Sequence, residues 1–301
     1  MLVTAAALGV LAVLLAWPVP VLLARARWTR RSPGTALILW QSVALAGGLA
    51  MIGSLLTFGL APYGDDLVSA LLAVDDRVGE PWHWIALAAA ALLGAHLLLN
   101  LLATVIRAEH QRRRHAQLVS LLSEPLGENA RLIDSPTPIA YCLPGPLSSV
   151  TVFSAGLVAL LDDRELQAVI EHEKAHVVQR HDVVLIAFRA WFAALPWFPI
   201  AYRAQREVGL LVEMLADDRA RRVVADAELA RAIEAVGSGA DAAASVWAEP
   251  GTPDTLNARV ARLALAPLPV AREALIVGSA AALLGVPTAL LLAPAALALL
   301  A

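Results

Sequence analysis

The chain has 301 residues, 59% of them hydrophobic, with a mean hydropathy of +0.67 and a formal net charge of −3. So much apolar sequence is unusual in a soluble chain and points to a membrane protein, while the slightly acidic balance argues against a globally basic nucleic-acid-binding surface. The single cysteine, Cys142, excludes an intramolecular disulfide and a thiolate metal cluster, so a metal would have to be held mainly by nitrogen and oxygen ligands.

Four stretches are long and apolar enough to cross a bilayer core of about 30 Å, which takes about 20 residues. They cover about 2–23, 36–60, 84–106 and 274–300. In the first, the basic residues follow the apolar run instead of preceding it, so it reads as a retained span and not as a cleaved signal peptide. Arg25, Arg27, Arg30 and Arg31 lie between the first two spans, and Arg107, Arg112, Arg113 and Arg114 follow the third. The loop between spans two and three is acidic, with Asp65, Asp66, Asp75, Asp76 and Glu80 against Arg77. Arginine-rich short loops stay in the cytoplasm, which predicts a multi-pass protein of the cell membrane with both termini outside. The expected division is 1–106 for three transmembrane helices, 107–272 for a cytoplasmic domain and 273–301 for a fourth transmembrane helix. Trp28, Trp40, Trp82 and Trp84 fall near the predicted membrane interfaces. His96 and Asn100, one turn apart inside span three, predict an interhelical hydrogen bond, with a sensing or proton-linked role as the alternative.

In the cytoplasmic region, residues about 116–124 read as helix, and "RLIDS", "AYCLP" and "SVTVFS" as short strands separated by Pro and Gly turns. Asp162 with Glu165 three residues on forms a capping box that opens the next helix, and Leu166, Val169, Ile170 and Val177 recur at helical spacing. That helix carries "HEKAH". His172 and His176, at i and i+4, project from one face and can share a metal ion. Glu173 is placed to take a proton from a metal-bound water without itself being a ligand. Zinc suits nitrogen and oxygen ligands and water activation; manganese or iron would accept the same ligand types. A solvated charged helix face is the competing reading.

A third ligand is needed. In "EMLADDRA", Glu213 and Asp217 are again i and i+4, so Glu213 can complete a two-His, one-Glu site with an open position for water. Asp217 can hydrogen-bond the outer nitrogen of a ligand histidine. Glu207 is the rival third ligand. His181 would be the nearest group to close a purely structural site, although its helical offset from His176 suits a shared ligand face poorly.

The apolar stretch at 183–200 cannot cross the membrane once, because His176 and Glu213 would then lie on opposite sides. It is too short to cross twice. It predicts a helix in the domain core or at the membrane surface. The small-residue, Pro/Gly-containing segment at 236–255 predicts a connecting loop, with a lid over the site as the alternative.

"HEKAH" followed by "RHD", then "EMLAD", resembles the gluzincin-type membrane peptidases that include the BlaR/MecR-type antirepressors and the HtpX/Ste-type proteases. "AYCLPG" with "SVTVFSAGLVALL" resembles their strand-turn-strand lead-in, and "NARVARLAL" their closing helix. The resemblance implies one Zn2+ bound by His172, His176 and Glu213, with Glu173 as general base and Asp217 behind the ligands. The implied fold is an α-helical membrane protein with four transmembrane helices and an α+β zincin-like cytoplasmic metalloprotease domain. Three spans before the motifs, one after and none between match the BlaR/MecR-type core. The sequence ends at Ala301, so the penicillin-binding sensor that follows that core in the antirepressors is not expected, nor is β-lactam sensing through it.

The expected function is a zinc-dependent endopeptidase acting on a protein or peptide substrate, with a transcriptional repressor as one candidate, at the cytoplasmic side. Membrane lipid is the other expected partner, and no direct nucleic-acid binding is expected. Membrane-protein quality control and a non-enzymatic membrane transducer are the alternatives. An extended substrate would lie along an edge strand, for which "SSVTVFS" is the candidate. Arg219, Tyr202 and His181 are unranked candidates to stabilise the oxyanion.

Overall fold

The computed structural model describes residues 1–73, 80–126, 130–144, 149–239 and 253–300. In chain order the helices before the sheet are α1 (Leu2–Ala16), α2 (Pro18–Arg25), α3 (Pro33–Gly59), α4 (Leu67–Leu72) and α5 (Pro81–Leu122). Four strands follow: β1 (Ser123–Pro125), β2 (Ala130–Ile133), β3 (Ala140–Pro144) and β4 (Ser149–Ser154). Then come α6 (Ala155–Leu160), α7 (Asp163–Val178), α8 (His181–Ala194), α9 (Pro199–Ala220), α10 (Asp226–Gly239), α11 (Pro253–Leu263) and α12 (Val270–Leu300). The chain divides into two compact units. Met1–Leu102, Ala190–Ala204 and Leu268–Ala301 form one, and Ala103–Arg189 with Gln205–Pro267 the other.

The first unit is apolar. Among the described residues, four helical segments are long and apolar enough to cross a membrane, Leu2–Arg25, Pro33–Gly59, Pro81–Leu122 and Val270–Ala296, which suggests a membrane protein. The first is broken at Trp17, where Pro18 opens α2 with the fixed φ that suits a helix start. α3 packs against α1 and α12 through small residues. Ala50 clusters with Leu8 and Leu291, and Ala46 with Leu15 and Val43. A Cβ on Gly53 would come within 3.1 Å of Leu291 Cδ1 and 3.3 Å of Leu8 Cδ1, so the three helices approach closely there.

Two expectations concern this unit. His96 Nε2 lies 2.9 Å from the Ala194 carbonyl, one of the last carbonyls of α8 and without an intrahelical donor, so the interhelical hydrogen bond is present. Trp40, expected near a membrane interface, is 2% exposed, its ring packed inside the unit. Of the acidic loop, Asp66 caps α4 by accepting from Val68 and Ser69 N–H. Asp75, Asp76 and Arg77 lie outside the described residues.

The second unit holds the sheet, in the order β1-β2-β4-β3. β4 is parallel to β2 and antiparallel to β3. The expected helix at 116–124 is the end of α5, one continuous 42-residue helix with no Gly or Pro to stop it after Arg107. Ser123 then starts β1, which pairs antiparallel with β2. The sheet order corrects the substrate-strand expectation. β4, which carries "SVTVFS", is bonded on both sides and cannot receive a peptide, whereas β3 is an edge. Ser154 N–H donates to Ile139 O, which makes that pair hydrogen-bonded; by alternation Ala140 and Cys142 direct their backbone groups away from β4.

α6 and α7 enter from β4 through two caps. Ser154 Oγ accepts from Leu157 N–H and from Ile139 N–H, tying the first turn of α6 to β3's lead-in. Asp162 Oδ1 accepts from Arg164 and Glu165 N–H, both at 2.8 Å, while Glu165 accepts from Asp162 N–H, which is the expected capping box. The core beneath joins Phe153, Leu157, Val169, Val224, Leu229 and Leu263, so β4, α6, α7, α10 and α11 share one apolar centre. α10 runs to Gly239 and α11 begins at Pro253, so the loop expected at 236–255 is shorter at both ends; its remainder, 240–252, lies outside the described residues.

Candidate metal centre

α7 and α9 position the site. On α7 one helical turn separates His172 from His176, and on α9 one turn separates Glu213 from Asp217. Among the described residues, His172, His176 and Glu213 are the group whose donor atoms converge closely enough to hold a metal ion. Glu207 is not in that group.

The distances are specific. His172 Nε2 lies 3.2 Å from His176 Nε2 and 3.3 Å from Glu213 Oε2, and His176 Nε2 lies 3.5 Å from Glu213 Oε1. Ligands about 2.0–2.2 Å from a zinc ion, at tetrahedral angles, sit about 3.3–3.6 Å apart. The three donors therefore already stand at the corners of one face of such a tetrahedron, and the two imidazoles both offer Nε2.

The outer nitrogens are held as well. His172 Nδ1 is 2.9 Å from Asp217 Oδ1, where the expected outer partner stands. Asp217, 1% exposed, is gripped from the other side by Arg259 of α11. Arg259 also reaches Glu213, with Nη1 3.2 Å from Oε2. The next helical turn repeats the pattern, as Arg262 Nη2 donates to Asp218 Oδ2 at 2.6 Å.

These contacts set the charges. Burial pushes the His172 imidazole down, but its hydrogen bonds to Asp217 and Glu213 outweigh that and raise it to about 10. Burial alone would raise the carboxyls of Glu213 and Asp217, yet His176, His172 and Arg259 hold Glu213 well below the usual carboxylate range. Arg259 and His172 do the same for Asp217. Burial lowers His176 and His181 to about 4 each, so both rings are neutral. Glu173 is different. Burial raises it to about 7, while the Cys142 N–H on the outer edge of β3 hydrogen-bonds its carboxyl. A carboxyl poised near neutrality next to a candidate metal site suits general-base work.

Of the oxyanion candidates, His181 has both ring nitrogens engaged, Nδ1 with His176 Nδ1 at 3.1 Å and Nε2 with Gln179 Oε1 at 2.9 Å, leaving no N–H for a substrate oxygen. Arg219 Nε stands 3.8 Å from Glu171 Oε2. Tyr202 falls in the apolar unit, its ring 5.9 Å from that of Phe192. Arg259 was not singled out from the sequence. The available signal was the pair Arg259 and Arg262, three apart in "NARVAR", which matches the adjacent acids Asp217 and Asp218 of α9.

A family model described as Peptidase family M48 matches residues 106–211. The match supports the M48 metallopeptidase family. It covers the end of α5, the sheet, α6 to α8 and α9 as far as Leu211, two residues before Glu213. M48 peptidases are metal-dependent hydrolases, consistent with the His-His-Glu cluster. No curated protein and no solved structure matches the chain.

Proposed function

We propose that this protein is a membrane-embedded zinc-dependent endopeptidase that cleaves a protein substrate at the cytoplasmic side, in regulated signalling of the BlaR/MecR kind. The observation that carries the reading is the convergence of His172 Nε2, His176 Nε2 and Glu213 within 3.2–3.5 Å of one another, the spacing that a tetrahedral ion needs. In this reading those three side chains hold one Zn2+, Glu173 is the catalytic base, and Asp217 positions His172.

The bound ion would polarise the scissile carbonyl and acidify a coordinated water. Glu173 accepts that water's proton and passes it to the leaving nitrogen; its raised carboxyl can both take and give a proton near pH 7. The peptide lies along the outer edge of β3, where Ala140 and Cys142 turn backbone groups away from β4 and Cys142 already touches Glu173. The Asp217–Arg259 pair keeps His172 oriented through the cycle.

Two features support the membrane and regulatory side of the reading. α8 has 14 residues, too few for a crossing that takes about 20, so no span intervenes between "HEKAH" and "EMLAD". That arrangement is the one of the BlaR/MecR-type core. The arginines after the first and third spans favour a cytoplasmic position for residues 107–272, with both termini outside.

The ligand set is tested by metal content. Replacement of His172, His176 or Glu213 by alanine should each lower bound zinc from one ion per chain to near zero, measured by atomic spectroscopy on detergent-purified protein. Glu207→Ala should keep its ion. Full zinc in the Glu213 variant with loss in the Glu207 variant would move the third ligand. The substrate is the protein that accumulates uncut in cells carrying Glu173→Gln.

A further inference from the structure

We propose that Gln179 and His181 form a hydrogen-bond relay that fixes the tautomer of His176 and so presents its Nε2 lone pair to the metal. The inference rests on His176 being a ligand and adds two positioning residues behind it.

The relay is read from contacts alone. His181 Nε2 is 2.9 Å from Gln179 Oε1, an acceptor, so Nε2 carries the proton. A neutral ring protonated there has a lone pair on Nδ1. That lone pair is 3.1 Å from His176 Nδ1, which must then be the donor. With its proton on Nδ1, His176 leaves Nε2 bare, and Nε2 is the atom that stands 3.2 Å from His172 Nε2 and 3.5 Å from Glu213 Oε1. Reading from the metal end gives the same answer, since a neutral imidazole that ligates through Nε2 must hold its proton on Nδ1 and needs an acceptor there. The two histidines thus have different supports: a carboxylate, Asp217, for His172 and a second imidazole for His176.

The backbone shows how His181 arrives at this position. On an uninterrupted α7 it would lie five residues from His176, well round the helix and away from its ring. Arg180 breaks the helix with φ 51°, the left-handed conformation, and α8 restarts at His181. Gln179 N–H still bonds Ala175 O and Val183 N–H bonds Arg180 O, so a single residue makes the turn. A non-glycine residue is strained in that conformation. The turn buries His181 to 2% exposure against His176.

The test is zinc affinity, by competition with a chromophoric chelator on the full detergent-solubilised chain. His181→Leu removes the acceptor and should weaken binding by about 10- to 100-fold. His181→Asn places an amide oxygen where Nδ1 was and should recover affinity to within about threefold, whereas His181→Gln, whose amide sits further out, should not. His181→Leu binding as tightly as the parent, or His181→Asn as weakly as His181→Leu, would overturn the relay. If His181→Leu does not fold, the exposed Gln179→Leu decides: weakening of more than about threefold supports the relay and unchanged affinity overturns it. His172→Ala is run in parallel. Zinc retained there means that the ligand reading has failed; zinc lost there with His181→Leu unchanged means that only the relay has failed.

Discussion

Asp217 and Arg259 meet fork to fork, with Nη2 2.7 Å from Oδ1 and Nε 2.9 Å from Oδ2. They come from α9 and α11, 42 residues apart in sequence. The same Oδ1 receives the His172 ring at 2.9 Å, so one buried carboxylate ties two helices together and orients that ring. Breaking a buried pair by removing one partner leaves an uncompensated charge and typically costs about 3–5 kcal/mol. Arg259→Met should therefore lower the thermal transition of the second unit strongly. Arg259→Lys should rescue only part of it, because an ammonium cannot fill both carboxylate oxygens. Asp217→Asn combined with Arg259→Met should cost less than the sum of the two single changes, which thermal unfolding followed by near-UV circular dichroism checks.

Arg180 gives a backbone prediction. Its φ of 51° suits glycine far better than a β-branched residue. Arg180→Gly should leave stability unchanged or raise it by up to about 1 kcal/mol, and Arg180→Val should lower it by more than about 1 kcal/mol. Chemical denaturation of the two variants side by side measures the difference. Equal stabilities would mean that the turn can relax without its left-handed residue.

Cys142 gives a pH prediction. Burial pushes its thiol up to about 11, against a hydrogen bond from Thr151 that only partly offsets it. The thiolate is the reactive form, so at pH 8 about one thiol in a thousand can be alkylated at any moment. Iodoacetamide labelling should be slow at pH 8 and rise about tenfold per pH unit towards pH 11, followed by mass spectrometry on the intact chain. A rate that levels off near pH 8.5 would show an ordinary exposed thiol.

What could be read from the sequence was local. The capping box at Asp162, the i, i+4 pairs His172/His176 and Glu213/Asp217, and the apolar spans all follow from periodicity within a few residues, and each has its counterpart in the structure. What escaped was set by long-range pairing or by an unsignalled backbone state. β4 looked like an edge strand because its own sequence carries no record of its two partners. Arg259 lies far along the chain from the acids it holds, with the undescribed 240–252 between. The place of His181 against His176 is not legible because helical geometry stops at Arg180, where an arginine occupies a conformation that glycine would have announced.

Glu173 decides the central claim. The cleavage rate of Glu173→Gln on an unstructured protein substrate such as casein, measured on protein whose zinc content has been determined, tests it most directly. The account expects one zinc per chain, as in the parent, and a cleavage rate lower by about 10²- to 10⁴-fold, the usual worth of a positioned general base. A zinc-loaded Glu173→Gln protein that cleaves at the parental rate would contradict it.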